Sequence, residues 1–473
     1  MTDRAMVAED TDHRPLATSV FGLAIVVLGA VQLMLVIDGT IINIALPHLQ
    51  QDPRIGLSDA NLSWAVNGYA LAFGGLLLLG GRSGDALGRR RMFIVGIAAF
   101  TFASLLGACA WNEASLIGAR VLQGAGAAIA SPTALALVST TFAPGPVRNR
   151  AFGIYAAMTG VGGAVGLLLG GLLTDVSWRW TFFINVPIGI VVLVLAPRGL
   201  RTTVPVQANF DVRGAATATA GFVALVYGLT AGGRGWPWVV VGVALVALFV
   251  FLESRTENPL VPLRLFIDKD RAVTYLATFI AGASLFAMAY FISRYVQEVL
   301  HYSALRAGLA FVPFAVASAV ASQLTSMLAS RVNPRWIIGP GSVVMAAGFL
   351  WAAPMKVDAS YVRDLLGPTI LIAFGFSLML IPLTMCAVTR VAAHDAGAAS
   401  AVLSVMQQLG GAMGLGALAA ISTSVTRSAG DGVDRSRALA DGFGAAFVTC
   451  AIFVILAGVI SVVGLRTTHQ ELE

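Results

Sequence analysis

Long apolar runs recur along the whole chain, and they restrict its fold more than any other feature of the sequence. Fourteen such runs, of 17 to 26 residues each, are separated by short polar segments. A run of about 20 residues crosses the hydrocarbon core of a bilayer as a helix, because a helix satisfies its own backbone N–H and C=O groups there. With 57% hydrophobic residues, the sequence predicts an all-α polytopic membrane protein.

The distribution of basic residues predicts which side of the membrane each loop occupies. If the N-terminus is cytoplasmic, inner loops and tails carry 19 Lys and Arg residues and outer loops carry 10, with Arg120 left inside a span. Basic residues accumulate in cytoplasmic loops, and an even number of spans returns the chain to its starting side. Both termini are therefore predicted to be cytoplasmic. The net charge is +6, but the basic residues are scattered through these short loops and do not form one patch. This argues against a nucleic-acid partner.

Two short repeats indicate the domain organisation. GGAVG at 162–166 returns as GGAMG at 410–414, and Pro132 returns as Pro382. The matches keep their order in predicted spans 4 and 5 (115–139 and 151–174) and again in spans 12 and 13 (366–388 and 399–422). This indicates two six-helix halves with an extra pair of spans between them. The predicted organisation is a cytoplasmic tail (1–18), an N-terminal six-helix bundle (19–198), a linker with two extra transmembrane helices (199–271), a C-terminal six-helix bundle (272–465) and a cytoplasmic tail (466–473).

Four motifs carry a resemblance to a known family. In chain order they are IDGTIINIALP (37–47), GRSGDALGRRR (81–91), RVLQGAGAA (120–128) and WRWTFFINVPIG (178–189). They resemble signatures of the major facilitator superfamily and, within it, of the fourteen-span drug:proton antiporters of the QacA/EmrB type. Some stretches are also similar to mycobacterial EfpA-type exporters. The resemblance implies two six-helix bundles that rock around a central cavity, driven by a proton gradient and needing no cofactor.

One motif departs from the antiporter pattern. The span-5 signature of that family reads G-P-x-x-G-G, whereas this chain has GLLLGG at 166–171. Without the proline, no ring kinks the helix and the N–H of residue 167 stays available. A strip of small residues remains, on which a neighbouring helix can approach closely: Gly162, Gly166, Gly170 and Gly171. The departure weakens the implied antiport but leaves the implied fold unchanged.

Asp38 and Arg120 are charged residues inside predicted span 1 (19–44) and predicted span 4 (115–139). A charge at the centre of a span costs about 2.5–3.5 kcal/mol on insertion scales, so it needs a partner or a function. We predict that Asp38 takes up and releases the coupling proton, because burial disfavours its charged form. Arg120 would hold Asp38 ionised or bind an anionic group of the substrate. The alternative is that both side chains reach outward to the membrane interface.

The stretch GGRSGDALGRRRM (80–92), predicted as the inner loop between spans 2 and 3, combines one acid with four Arg and four Gly residues. Gly84 and Gly88 are predicted to allow a tight turn. The resemblance implies a latch between the cytoplasmic ends of the two halves, formed by Gly81, Asp85, Gly88, Arg89 and Arg90. The alternative is a simple positive-inside anchor, which requires neither the acid nor the spaced glycines. The second-half counterpart, 329–336, has Asn333 in the place of Asp85.

Polar side chains in or near other spans are candidates for substrate contact. Four are predicted to line a substrate cavity: Asn43, Gln123, Tyr290 and Gln297. Arg294 and Glu298, four residues apart near the outer end of the ninth apolar run (272–296), are predicted to form a surface ion pair. The alternative is that they line the cavity. The five His and three Cys residues are dispersed, so no metal site is expected. No catalytic constellation is present in the sequence, which argues against an enzyme.

These features predict a proton-coupled secondary transporter that exports amphipathic or lipophilic compounds, as multidrug efflux proteins do. It would reside in the bacterial plasma (inner) membrane as a multi-pass monomer. One alternative keeps the fold and changes the cargo to lipids or lipid-like metabolites, moved without strict proton coupling. A further alternative is a non-transporting membrane scaffold or sensor, which would need neither Asp38 nor Arg120.

Overall fold

The structure is a computed structural model of the chain. It describes residues 18–58, 61–142, 146–200, 211–230, 235–256, 259–261, 263–329, 331–389, 391, 396–428 and 434–467. The side chains of a few residues inside these helices, Asp85 among them, lie outside the described part.

The described residues form helices joined by short turns, and no strand occurs among them. The helices are α1 (Thr18–Gln51), α2 (Trp64–Leu87), α3 (Arg89–Ala108), α4 (Glu113–Thr141), α5 (Pro146–Val176), α6 (Trp180–Phe183), α7 (Asn185–Gly199), α8 (Val212–Thr230), α9 (Trp236–Arg255), α10 (Lys269–Arg294), α11 (Ala304–Ala310), α12 (Val312–Ala329), α13 (Arg335–Ala352), α14 (Leu366–Val388), α15 (Ala396–Ser428) and α16 (Arg435–Gly464). Two π-helical turns adjoin them: Tyr295–Val299 continues α10, and Tyr361–Leu365 leads into α14.

Eleven helical segments of the described chain are long and apolar enough to cross a membrane. The predicted all-helical polytopic architecture is therefore confirmed. The three remaining apolar runs correspond in sequence to helices α5, α8 and α13. These helices are not among the eleven segments. The number of fourteen crossings accordingly stays a prediction, as does the cytoplasmic position of both termini.

Contacts between the ends of helices define two ends of the molecule. At one end, the Trp178 indole Nε1 donates to Asp52 Oδ2 at 3.0 Å, and the Tyr295 hydroxyl donates to the Lys356 carbonyl at 2.6 Å. We call this the Gln51 end, after the last residue of α1. The opposite end contains the junction between α2 and α3, and we call it the Leu87 end.

Two groups of helices pack mainly within themselves. In the first half of the chain, α1 packs on α5 and α7, while α4 packs on α2 and α3. In the second half, α10 packs on α15 and α16, and α13 packs on α14 and α16. The hairpin α8–α9 lies beside them, with α8 in contact with both α2 and α15. This hairpin therefore touches both groups.

Contacts between the two halves include several at the Gln51 end. Helix α5 packs on α11 there, where a Cβ on Gly171 would lie only 2.6 Å from the Leu305 Cα. The Asp175 carboxylate also accepts a hydrogen bond from the Ala304 N–H at 3.1 Å. A glycine at 171 is thus required for the close approach of these two helices.

The predicted loop at 80–92 is mostly helical. Helix α2 continues through Leu87 and α3 begins at Arg89, which leaves Gly88 alone between them with φ 95°. The prediction that Gly84 forms part of a tight turn was wrong, because Gly84 lies inside α2. There it faces α4, and a Cβ on it would lie 2.6 Å from a methyl carbon of Thr133. Gly84 therefore serves helix packing, and Gly88 alone makes the turn.

Candidate functional site

A buried ion pair lies inside the first half, between α1 and α4. The Arg120 guanidinium Nη1 donates to Asp38 Oδ2 at 2.7 Å, and both side chains are 1% exposed. The alternative that these two residues reach outward to the membrane interface was therefore wrong. The structure brings them together, as expected if Arg120 is the partner of the buried acid.

Further contacts hold the guanidinium of Arg120. Its Nε donates to the Ala65 carbonyl at 2.8 Å, and its Nη1 also donates to Gln123 Oε1 at 2.9 Å. The guanidinium carbon lies 4.7 Å from the ring centre of Tyr69 and 5.9 Å from that of Phe182. A cation enclosed by rings and carbonyl oxygens in this way is stabilised without water.

The second oxygen of Asp38 receives two amide donors. Gln123 Nε2 and Asn185 Nδ2 each donate to Asp38 Oδ1 at 2.8 Å. Gln123 Nε2 also donates to Ser104 Oγ at 2.9 Å. We refer to Asp38, Ser104, Arg120, Gln123 and Asn185 as the Asp38 network. Because every member is less than 2% exposed, its charges are compensated almost entirely by one another and by the surrounding dipoles.

Local sequence explains how four helices, α1, α3, α4 and α7, supply this network. Arg120 and Gln123 stand three residues apart and therefore share one face of α4. Asn185 is the first residue of α7, next to a break in the helix that precedes Pro187. Proline has no N–H, so Pro187 cannot bond the carbonyl four residues earlier, that of Phe183 at the end of α6. From its position just after this break, the Asn185 side chain reaches Asp38 of α1.

Sequence reasoning missed two members of the network, Ser104 and Asn185. Asn185 belongs to the stretch WRWTFFINVPIG that carries the family resemblance, where a lone amide in an apolar run beside Pro187 could have singled it out. The side-chain amide of Asn185 is only partly satisfied: its Nδ2 donates to Asp38, but its Oδ1 is buried without a hydrogen-bond partner. Ser104 offers no such signal, because a serine in a span usually bonds its own helix.

A second buried ion pair lies in the other half. Arg294 Nε and Nη2 donate to Glu298 Oε1 and Oε2 at 2.6 and 2.8 Å, with side chains 7% and 11% exposed. The prediction of a surface ion pair was therefore wrong. Helix α10 passes into a π-helical turn at this point, and the Arg294 guanidinium lies over the rings of Tyr290 and Phe443 at 5.6 and 5.4 Å. Packing against these rings keeps water away from the pair.

The four predicted cavity residues do not lie around one open cavity. Gln123 belongs to the Asp38 network, and Tyr290 is 1% exposed and packs edge-to-face on Phe291. Asn43 and Gln297 are also buried, at the contact between α1 and the end of α10. A small cavity of about 10 Å³, roughly the volume that one water molecule needs, does lie between α10, α14 and α15, and its lining contains none of the four. Their contact with substrate stays a prediction.

The predicted latch residues lie at the Leu87 end. Gly81 faces Pro132 of α4, with 3.5 Å between a Cβ built on it and the proline ring. Arg90 Nη1 donates to the Leu200 carbonyl at 3.2 Å, just beyond the end of α7. Arg89 is partly buried and follows Gly88 directly. The side chain of Asp85 lies outside the described part of the structure, so the acid of the latch is not placed.

Arg82, which the sequence analysis did not include in the latch, makes a longer-range contact. Its Nη2 donates to the carbonyl of Pro259, in the segment that leads from the α8–α9 hairpin to α10. The carboxylate of Glu253, near the end of α9, accepts hydrogen bonds at 3.2 Å from the N–H groups of Leu260 and Val261. The Leu87 end of α2 is thus tied to the chain that joins the two halves.

Three glycines of the α5 strip, Gly162, Gly166 and Gly170, lie against α1, whereas Gly171 lies against α11. A Cβ on Gly162 would lie 3.0 Å from the Val36 Cβ, and one on Gly170 would lie 3.2 Å from side-chain carbons of Ile41 and Ile44. At Gly166 it would overlap the Thr40 hydroxyl and lie 3.0 Å from the Ile37 Cα. Since Asp38 follows Ile37, the strip sets the position of the helix that carries the network acid. Among the described residues, no group of three His, Cys, Asp or Glu side chains could hold a metal ion.

Comparison with known proteins identifies relatives over most of the chain. The chain is 44% identical over 414 residues to the uncharacterized MFS-type transporter EfpA of Mycobacterium tuberculosis, covering 86% of this chain and 78% of that protein. It is 40% identical over 458 residues to the cephamycin export protein CmcT of Amycolatopsis lactamdurans, covering 94% and 92%.

The fold also matches a solved structure of a bacterial homolog of the human lysosomal transporter Spinster. The TM-score is 0.68 with 16% identity, and the match covers 96% of this chain and 99% of that one. The family model of the Major Facilitator Superfamily matches residues 28–415. With this match over most of its length, the chain belongs to the major facilitator superfamily.

Proposed function

We propose that the protein is a proton-coupled exporter of amphipathic or lipophilic compounds, with Asp38 as the group that carries the coupling proton. The observation that carries this proposal is the buried ion pair of Asp38 and Arg120, with 2.7 Å between its charged atoms. Two charges inside an apolar helical bundle are costly to maintain. A secondary transporter can use such a pair, since protonation of the acid releases it from the cation.

The geometry supports a simple cycle. When a proton binds Asp38, the carboxyl loses its charge and its attraction to Arg120, while the guanidinium keeps the Ala65 carbonyl and Gln123 Oε1 as acceptors. Helices α1 and α4, both in the first half, are then no longer held together by an ion pair, so the first half can change its shape and its contact with the second half. Loss of the proton to the cytoplasm restores the pair. Each proton that moves inward draws about 2.3 kcal/mol per 100 mV of membrane potential.

The direction and the cargo rest on the relatives. Export is the activity named for CmcT, which resembles this chain along almost its whole length. The narrow space between α10, α14 and α15 is lined by apolar side chains, among them Phe376, Met379 and Leu383, which would contact the apolar part of such a cargo once these helices move apart. Lipids or lipid-like metabolites are the second candidate cargo, because the span-5 glycine strip lacks the proline of the antiporter signature.

The finer topology belongs to the same proposal. We place fourteen spans in the bacterial plasma membrane by adding α5, α8 and α13 to the eleven apolar segments. Both termini would then be cytoplasmic, in agreement with the excess of Lys and Arg in the loops of that side. The Gln51 end faces outward in this arrangement, and the Leu87 end faces the cytoplasm. A monomer without a cofactor suffices for this function.

The latch is proposed in a modified form. Gly88 makes the turn between α2 and α3, Arg90 holds the Leu200 carbonyl, and Arg82 holds the Pro259 carbonyl. Asp85, one turn before Arg89, would pair with an arginine at the cytoplasmic ends of the halves. Breaking the latch would favour the state that is open to the cytoplasm. Turnover would then fall much more than substrate affinity.

Transport by the purified protein in proteoliposomes tests the proposal. Ethidium serves as the amphipathic probe and a fluorescent phosphatidylethanolamine as the lipid probe, each with and without an imposed pH gradient. Gradient-dependent ethidium transport by the wild type, and none by Asp38→Asn, is the expected result. Lipid movement that ignores the gradient would favour the lipid transporter instead. Equal ethidium transport by wild type and Asp38→Asn would refute the role of Asp38.

A further inference from the structure

One carbonyl group in α1 lacks its usual partner inside the helix. In an α-helix the carbonyl of a residue accepts the N–H of the residue four positions later. For Asn43 that position is Pro47, which lies inside α1 and has no N–H. The Asn43 carbonyl must therefore find another donor wherever it is shielded from water.

The donor comes from the other half of the molecule. Ser293 Oγ of α10 donates to the Asn43 carbonyl oxygen at 2.5 Å, and the Ser293 side chain is fully buried. Gln297 Nε2 donates to Ser293 Oγ at 3.0 Å and to the Ile44 carbonyl at 3.2 Å. Because its oxygen already accepts from Gln297, the Ser293 hydroxyl is oriented with its hydrogen towards Asn43.

We propose that Ser293 is a positioning residue that closes the Gln51 end of the protein by capping the carbonyl that Pro47 leaves free. We call Asn43, Ile44, Pro47, Ser293 and Gln297 the Asn43 clasp. The inference rests on the proposed transport function, because it assumes that the halves separate at this end during the cycle. To that function the inference adds one particular hydrogen bond, from Ser293 to the Asn43 carbonyl, which is lost when the halves separate.

The clasp acts only in the closed state for a physical reason. While the halves are together, the Asn43 carbonyl is buried, and an unpaired buried carbonyl is costly. When the Gln51 end opens, water reaches the same oxygen and replaces Ser293. The hydrogen bond therefore stabilises the closed state and contributes nothing to the open one. Pro47 is what makes the carbonyl depend on the opposite half.

Distances between spin labels on the two halves test the clasp directly. Trp111 follows α3 and Val362 lies in the π-helical turn before α14, and they are 66% and 71% exposed at the Gln51 end. Both are replaced by labelled cysteines in a chain whose exposed Cys109 has been changed to serine. Removing the hydroxyl by Ser293→Ala should raise the ratio of open to closed molecules roughly 5- to 150-fold.

A second background separates the clasp from general loosening of the contact. In Pro47→Ala the new N–H at position 47 can bond the Asn43 carbonyl in both states. The effect of Ser293→Ala should then shrink to about twofold, as for a bond that water can replace. Ser284→Ala is the matched control, because Ser284 is a buried serine of the same helix whose hydroxyl donates to the Cys450 carbonyl inside one half. It should leave the distances unchanged.

Two results would overturn the clasp. One is an unchanged distance distribution in Ser293→Ala, and the other is a shift on Ser293→Ala that is equally large with and without Pro47→Ala. The distances are measured without substrate or gradient, so either result would leave the exporter proposal intact. Conversely, absence of ethidium transport by a wild-type protein with a normal clasp would contradict the exporter and not the clasp.

Discussion

Replacing the two members of the buried ion pair, singly and together, separates their structural role from their role in coupling. Asp38→Asn removes the negative charge and keeps the shape of the side chain, while Arg120→Gln removes the positive charge. The double variant removes both. Each single variant leaves one buried group without its partner, whereas the double variant leaves two neutral amides in contact.

The structure sets the size of the expected effects. At a separation of 2.7 Å and an effective dielectric constant of about 20, the attraction between the two charges is about 6 kcal/mol. Desolvation of both groups offsets much of this gain. Removing one partner of such a pair typically costs about 3–5 kcal/mol, because the other charge stays buried, whereas replacing both partners is often close to neutral.

Two measurements on the wild type, the two single variants and the double variant separate the structural role of the pair from its role in coupling. Thermal unfolding in detergent should place Asp38→Asn and Arg120→Gln well below the wild type, and the double variant close to it. Proton-driven ethidium transport in proteoliposomes should be lost in all three variants, because none of them has both the carboxyl that binds and releases the proton and the cation that holds it ionised between turnovers.

The double variant decides between the two roles. If it regains both stability and gradient-driven transport, the pair is only structural and the coupling argument is refuted. If the single variants are as stable as the wild type, the pair is not desolvated in the way the structure indicates, and the energetic argument fails.

Three further substitutions test particular features of the fold. Gly88→Ala should destabilise the protein by about 1–3 kcal/mol in thermal unfolding, because φ 95° is strained for a side chain; an effect no larger than that of Gly118→Ala, whose added Cβ meets nothing within 4 Å, would contradict this. Gly166→Ala should cost about 1–3 kcal/mol by forcing α5 away from Ile37, whereas Gly163→Ala on the same helix meets nothing within 4 Å and serves as its control. Partial burial tends to raise the pKa of Asp52, but hydrogen bonds from the Arg54 N–H and the Trp178 indole, together with Arg179, hold it below its usual value. The stabilisation of wild type relative to Asp52→Asn should therefore be constant above about pH 5 and decline as the pH falls below about 4; a difference that persists undiminished down to about pH 2 would refute the assignment.

The sequence by itself determined the class of the protein and the approximate position of its helices. Long apolar runs in a bilayer have only one way to satisfy their backbone groups, so composition and length were enough to predict helices. A charge inside such a run also stands out without any structure, which is why Asp38 and Arg120 could be singled out in advance, with their pairing as one of two roles considered for Arg120. Gly88 was identified as a turn residue for the same local reason, but Gly84 was predicted with it and lies inside α2.

Only the tertiary structure decided which polar groups meet. Asn185 reaches Asp38 from 147 positions away, and Ser293 reaches the Asn43 carbonyl from 250 positions away. The burial of Arg294 with Glu298, which the i, i+4 spacing could not distinguish from a surface pair, likewise depends on rings from another helix. Spacing along one helix predicts a shared face, whereas the groups that shield or satisfy that face come from helices distant in sequence. Their positions follow from how glycines let helices approach, and that depends on the whole packed bundle.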